Sequence, residues 1–237
     1  MDQGKPVALV TGSRTGIGQF LSNHLLREGY LVVGCSRQPA DWQAEGFLDL
    51  RADVTDEKQV KDLFRTIVQK YGRLDAVLNN AGAASMNHSL LTPLSTYKKI
   101  MDTNLQGTWL VTCEAAKVMR KRRYGRVVNF GSAAVPLRLA GEAVYIAAKS
   151  AVTSLSQVLA RELYDFGITV NVVGPAPVPT EMIRGVPKDK LDRLLEMMTV
   201  HRLCTFEDVA NVVDFFLRAE SGAITGQVVY LGGVPNS

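Results

Sequence analysis

Tyr145 and Lys149 stand four positions apart, and Ser132 precedes the tyrosine by thirteen positions. Residues four apart on a helix share a face, so this spacing sets an ammonium beside a phenol. A neighbouring opposite charge favours the ionised form, which predicts that Lys149 draws Tyr145 down from its ordinary pKa of about 10. A phenol tuned in this way can give a proton to a reacting oxygen or remove one from it. Ser132 ends an apolar run, from which its hydroxyl can donate a hydrogen bond to the same oxygen. Each of these residue types is common singly, and the chemistry requires the fold to bring them together.

A second group lies near the N-terminus, where an apolar run leads into Thr11, Gly12, Ser13, Arg14, Thr15, Gly16, Ile17 and Gly18. Glycines so spaced permit a tight turn and let backbone amides approach a pyrophosphate, while the following helix directs its positive end at the same anion. A strand before the turn and a helix after it is the context that dinucleotide binding needs. Sites for NAD usually carry an acidic residue at the end of the second strand to hold the ribose hydroxyls. This chain has Cys35, Ser36 and Arg37 there. A guanidinium pairs with a 2′-phosphate that a carboxylate would repel, so Arg37, assisted by Arg14, points to NADP(H).

These groups need a scaffold, and the rest of the sequence supplies one. The 237 residues are 46% hydrophobic and 21% charged, proportions of an ordinary globular protein rather than a fibrous or disordered one. Near-continuous apolar runs at 7–10, 31–35, 47–53, 76–79, 126–130, 169–173 and 227–231 read as strands. Helical patterns at 16–28, 55–71, 105–119, 145–164 and 206–218 separate most of them, with Thr55 as the expected N-cap of the second. Strands apolar on both faces imply helices on both faces. The expected fold is therefore α/β: one Rossmann-type, doubly wound parallel sheet of about seven strands spanning 1–237. Residues 175–202, which open with Pro175, Pro177 and Pro179, read as a flap.

Three dispersed cysteines and three dispersed histidines suggest neither a disulfide framework nor a metal site. No secretory-type leader is evident, and no run of about 18 apolar residues marks a membrane span, so a cytoplasmic setting is expected. The formal charge is +4, with one dense run at Lys117, Arg120, Lys121, Arg122, Arg123 and Arg126. That run reads as a solvated helix end complementing the helix dipole, with no specific nucleic-acid partner.

Taken together, these residues resemble the short-chain dehydrogenases/reductases, in a style similar to the 3-oxoacyl-carrier-protein reductases. The resemblance rests on the turn at 11–18, Asp53 and Val54 after the third strand, and Asn79, Asn80, Ala81 and Gly82 after the fourth. It continues through Asn104, Ser132, Tyr145 and Lys149. It implies hydride transfer between NADP(H) and a ketone or secondary alcohol, with Tyr145 as general acid/base. It also implies that Lys149 binds the nicotinamide ribose and that Asn104 holds a water in a proton relay. Asp53 and Val54 would line the adenine pocket, and Asn80, Ala81 and Gly82 would pass the adenosine ribose. Val178 would contact the carboxamide, with Thr180 nearby.

The chain departs from the family pattern at Pro175 and Ala176, where a Pro-Gly pair is usual, and this removes an easy positive-φ position. It also runs into Leu231, Gly232 and Gly233 without the aspartate often found before those glycines. The resemblance implies a homotetramer or homodimer built on helices 105–119 and 145–164 and strand 227–231, and a small carbonyl or alcohol substrate, free or carrier-protein-bound. Within the flap, Met182, Ile183, Val186, Leu191, Leu194, Leu195, Met197 and Met198 either line an apolar pocket or pack on the core. Ala134, Leu137 and Arg138 are further candidates to border the substrate. Two alternatives remain: a non-catalytic NADP-binding sensor or scaffold, and an NAD(H)-dependent alcohol dehydrogenase of the same family.

Overall fold

The computed structural model describes residues 4–181, 183–184 and 186–234; Met182 of the flap lies outside them. Seven strands, β1 (Val7–Thr11), β2 (Leu31–Ser36), β3 (Phe47–Arg51), β4 (Ala76–Asn79), β5 (Gly125–Phe130), β6 (Ile168–Gly174) and β7 (Val228–Tyr230), form one parallel sheet. Their order is β3-β2-β1-β4-β5-β6-β7. The chain winds outward from β1 on one side and from β4 on the other. The connections therefore diverge between β1 and β4, leaving a crevice at the carboxyl ends of those strands.

The apolar strands are covered on both faces, as the sequence pattern requires. One face packs Val7 and Leu9 of β1 beneath α2 (Glu57–Tyr71), α4 (Gly107–Met119) and α6 (Ala143–Leu163). The other packs Ala8 and Val10 beneath α1 (Gly16–Arg27) and α8 (Phe206–Leu217). Three further helices escape the sequence pattern: α3 (Leu94–Met101), the single turn α5 (Ala134–Leu137) and α7 (Lys188–Glu196) in the flap. In α3 only Ile100 is buried; α7 carries Leu191, Leu194 and Leu195 at helical spacing but fully buries none of them, since that face borders the cavity rather than the centre of the core.

Between β2 and β3 the chain crosses in a loop of residues 37–46 with no helix, although parallel crossovers usually carry one. Trp42 fills the space, stacking on Phe47 at 4.0 Å and donating its indole N–H to the Ser13 carbonyl at 3.3 Å. The cap of α2 also differs from expectation. Asp56, not Thr55, accepts from the Gln59 amide at 3.0 Å, because both the amide and the hydroxyl of Thr55 are turned back to Asp53.

Two further expectations are corrected. The basic run is solvent-exposed from Lys117 to Arg123, but Arg126 is buried in β5. Its guanidinium stacks on Tyr124 and donates to the carbonyls of Arg218 and Ala219, tying the end of α8 to the sheet. Contrary to the sequence expectation, the stretch Ala143–Phe166 is long and apolar enough to cross a membrane by length and composition. In the fold about a third of it is buried: that side packs against β6 and carries Lys149 into the interior, while Val158 on the other side stays exposed.

Candidate active site

The crevice between β1 and β4 opens into two connected spaces. A groove of about 360 Å³ is lined by Gly12, Arg14, Thr15, Gly16, Ile17, Cys35, Ser36, Arg37, Asp53, Val54 and Ala81, among others. A cavity of about 470 Å³ is lined by Asn104, Ser132, Tyr145, Lys149 and Val178, with apolar residues from the flap. Ile17, Asn80, Gly82 and Thr180 border both, so the two form one continuous cleft.

The groove is built by the glycine turn. Gly12 and Gly16 take positive φ of 69° and 60°, and a methyl on Gly18 would overlap the Gly12 carbonyl oxygen. Gly18 thus lets α1 start directly against the turn, with the amide end of the helix facing the groove. Substituting Gly18→Ala is expected to destabilise the protein by about 2 kcal/mol or more, since backbone must move. Urea unfolding reads this, and a loss below about 0.5 kcal/mol would contradict the packing.

Across the crevice, the Asn80 amide donates to the carbonyls of Thr11 and Gly12, and the Ala81 amide donates to the Thr11 hydroxyl. These bonds lace the end of β4 to the turn. Ser13 is placed differently from the other turn residues. Its hydroxyl points inward, into the notch left by Gly34, and finds no hydrogen-bond partner among the described residues. Arg14 and Arg37 flank Ser36, whose hydroxyl accepts from the Arg14 amide at 3.2 Å. Arg51, unremarked in the sequence, donates from Nε to the Arg37 carbonyl at 3.0 Å and steadies that loop.

In the cavity, the end of β5, the single turn α5 and the first turns of α6 bring Ser132, Tyr145 and Lys149 to one wall. Tyr145 is half-buried as a residue, but its phenol is closely surrounded by protein. Burial pushes its pKa up to about 12, and Glu142 adds to the rise, while a hydrogen bond with Ser132 opposes it. The expectation that Lys149 depresses this phenol is therefore not met by the chain's own groups. The Lys149 nitrogen lies 5.9 Å from the Tyr145 ring centre and is itself buried, which pulls its own pKa down to about 8. It donates to the Phe130 carbonyl at 2.7 Å. Desolvation of both groups outweighs their attraction.

Asn104 sits in a π-helical turn, Asp102–Gln106, between α3 and α4. Widened turns of this kind recur at functional sites. Its amide donates to the carbonyls of Ala83 at 2.7 Å and Ile100 at 2.9 Å, and its side-chain oxygen accepts from the Ala83 amide. The side chain is thus spent on bracing the strand end. Its backbone carbonyl accepts from the Thr108 hydroxyl at 2.7 Å. Gly82 is the point of convergence: a methyl there would meet Asn104 Oδ1 at 2.9 Å and Lys149 Nζ at 3.7 Å.

A buried polar chain behind this wall escaped sequence reading. Thr108 and Thr112 each donate one helical turn back, Asn79 donates to Thr112 and Asn129, and Asn129 donates to Ser156. It links α4, β4, β5 and α6 behind the site. The signal was available, since Asn79 and Asn129 interrupt otherwise apolar strands and a buried amide needs partners.

The flap meets both of its expected roles. Ile183, Val186, Leu191, Leu194 and Met197 line the cavity, whereas Met198 and Leu195 pack on the core. Ala134 and Leu137 border the cavity and Arg138 does not. Ala176 takes no positive φ, and its methyl fits because Gly232 leaves room opposite: a methyl on that glycine would stand 3.0 Å away. Val178 is buried on the cavity wall, and Thr180 reaches both spaces.

Comparison with known proteins agrees with this geometry. The family model adh_short_C2, described as enoyl-(acyl carrier protein) reductase, matches residues 12–233. The chain is 31% identical over 233 residues to the 3-oxoacyl-(acyl-carrier-protein) reductase FabG of Escherichia coli (strain K12), covering 96% of each. It is 32% identical over 237 residues to FabG of Haemophilus influenzae, covering 98% of each. The ligand-free aldohexose dehydrogenase AldT of Thermoplasma acidophilum superposes with a TM-score of 0.90 at 26% identity, over 98% of this chain and 96% of that one. With its glycine turn, seven-stranded parallel sheet and Ser132–Tyr145–Lys149 wall, the chain belongs to the short-chain dehydrogenase/reductase family of oxidoreductases.

Proposed function

We propose that this protein is an NADP(H)-dependent oxidoreductase that interconverts a ketone and its secondary alcohol, with Tyr145 as general acid/base. The observation that carries the reading is the meeting of Ser132, Tyr145 and Lys149 on one cavity wall that continues into the glycine-turn groove. The groove fits a dinucleotide: the turn is open where side chains would block it, the start of α1 faces it, and two arginines rim its outer end. Gly12, Ser13, Thr15, Gly16, Ile17 and Gly18 would shape the pyrophosphate site, Ser13 through its backbone. Asp53, Val54, Asn80, Ala81 and Gly82 would hold the adenosine, and Lys149, Val178 and Thr180 the nicotinamide riboside. The nicotinamide supplies or accepts the hydride.

Tyr145 donates its proton to the carbonyl oxygen during reduction and takes it back during oxidation. Ser132 hydrogen-bonds that oxygen and orients it, and Asn104 would hold a water of a proton relay behind Lys149. The family model's description names a reduction of a carbon–carbon double bond, and the FabG relatives' names a reduction of a ketone. A paired phenol and hydroxyl suit a reacting oxygen, which favours the ketone. An apolar cavity suits an acyl chain, including one borne by a carrier protein, in a cytoplasmic enzyme. The test is NADPH oxidation with the N-acetylcysteamine thioesters of acetoacetate and crotonate, beside a panel of simple ketones. Turnover of the ketones but not crotonyl thioester is expected. NADPH binding with no turnover of any ketone would favour the sensor reading.

Arg37→Asp is expected to weaken NADPH binding about 30-fold or more while leaving NADH nearly unchanged, because a charge-assisted fork is replaced by repulsion. Titrations of both nucleotides check this, and equal effects would remove Arg37 from the 2′-phosphate site. We also propose a homotetramer or homodimer. Helices α3, α4 and α6 leave Leu94, Tyr97, Trp109 and Val158 exposed, a pattern that marks interaction surfaces. Trp109→Glu should shift the protein toward smaller species in sedimentation velocity, and an unchanged profile would place the interface elsewhere.

A further inference from the structure

Glu142 stands three residues before Tyr145, at the N-cap position of α6, where its side chain makes no capping hydrogen bond. It lines the cavity, and among the described lining residues it is the only carboxylate. Among the described residues its carboxylate makes no hydrogen bond or ion pair, and its charge acts on the Tyr145 phenol. Burial alone pushes its pKa above the ordinary carboxylate range. The cations of the cavity are directed elsewhere. Lys149 is tied to the Phe130 carbonyl, and Lys190 and Arg193 are exposed on α7 at the rim. A carboxylate without a hydrogen-bond or ion-pair partner in a largely apolar cavity is costly, and such groups concentrate at functional positions.

We propose that Glu142 selects the substrate: it accepts a hydrogen bond from a hydroxyl or ammonium group on the carbon beside the reacting carbonyl. The site then takes donor-bearing ketones and turns away 2-oxo acids. This rests on the ketone-reductase reading above. Side chains three apart along a helix start about 5–6 Å from one another, so a carbonyl oxygen at Tyr145 puts its neighbouring carbon's substituent within reach of Glu142. A site built to hydrogen-bond a substrate donor discriminates strongly against the analogue lacking it, because the buried acceptor is left unpaired. A substrate carboxylate at the same place would face a like charge with little solvent between them.

Three matched ketones test this with NADPH: 1-hydroxy-2-hexanone, 3-heptanone with a methyl in place of the hydroxyl, and 2-oxohexanoate with a carboxylate there. Wild type is expected to prefer the hydroxyketone to 3-heptanone by about tenfold or more in kcat/KM. Glu142→Leu should abolish that preference. Glu142→Gln, which keeps the size and a weaker acceptor, should retain part of it and raise kcat/KM for 2-oxohexanoate by about tenfold. Equal losses on all three substrates, or unchanged ratios in both variants, would overturn the proposal. If wild type reduces none of the three, the ketone-reductase reading is judged separately, by the acetoacetyl thioester assay above. Calorimetric binding of the same three compounds to the NADPH-loaded protein and its Glu142→Gln variant then decides the matter: a hydroxyketone preference lost in the variant upholds it, and none overturns it.

Discussion

Tyr145→Phe is expected to lower kcat for ketone reduction by about 10²–10⁴-fold, the range that a positioned general acid contributes, with NADPH affinity changed less than about twofold. The substitution keeps the ring and removes only the hydroxyl. Ser132 remains to polarise the carbonyl, so a residual rate is expected rather than none. The pH dependence follows from burial. A phenol pushed up to about 12 is protonated throughout the neutral range and stands as an acid. Reduction, which needs the acid form, should therefore not fall on this group's account as pH rises from about 6 to 9. Oxidation needs the phenolate, whose fraction grows about tenfold per pH unit below the pKa, so its rate should climb with pH. Steady-state profiles in both directions read this. A Phe variant retaining more than about a tenth of wild-type turnover would sink the assignment. An oxidation rate that levels off near neutrality would require a cation beside the phenol that the chain itself does not supply.

Lys149→Met is expected to act in opposite directions on activity and stability. Turnover should fall by about 100-fold or more, because the group beside Gly82 and Asn104 that would position the riboside is gone. Stability at pH 7 should rise. Burial lowers the lysine from 10.5 to about 8, so between those values the unfolded chain holds a proton that the folded chain has lost. The lysine's contribution is complete above about pH 10.5 and is lost as pH falls through 8, leaving at pH 7 a penalty of about 3 kcal/mol. Methionine removes that penalty but strands the Phe130 carbonyl, which returns about 1 kcal/mol. The net gain of about 2 kcal/mol corresponds to a rise in Tm of about 4–8 °C for a chain of this size. Its signature is that the advantage over wild type shrinks as pH rises from 7 to about 10. A variant less stable than wild type at pH 7, with no such convergence, would show that the Phe130 hydrogen bond outweighs the desolvation.

Much of the architecture was legible because it is written in local pattern. The strands announce themselves as apolar runs, and their burial on both faces requires the covering helices. The turn from Thr11 to Gly18 specifies its own geometry through glycines that permit positive φ and close approach. The four-residue spacing of Tyr145 and Lys149 puts them on one helix side wherever that helix goes. Elements that bury little were missed: α3 and α7 bury almost nothing fully within the chain, and the loop before β3 substitutes a tryptophan for the usual helix.

The sequence by itself determined the candidates: the glycine turn and the tyrosine–lysine pair by their spacing, the serine by its place after an apolar run, and the asparagines through the resemblance. Only the tertiary structure decided what those meetings do. It turned Ser13 inward, buried Arg126, and spent the Asn104 side chain on Ala83 and Ile100. It also set Glu142 in the cavity and reversed the expected pull on Tyr145. The reason is physical. Periodicity and spacing are properties of neighbours along the chain, whereas desolvation and hydrogen-bond partnership come from groups tens of residues away, and at this site desolvation outweighs the lysine–tyrosine attraction that the spacing alone foretold.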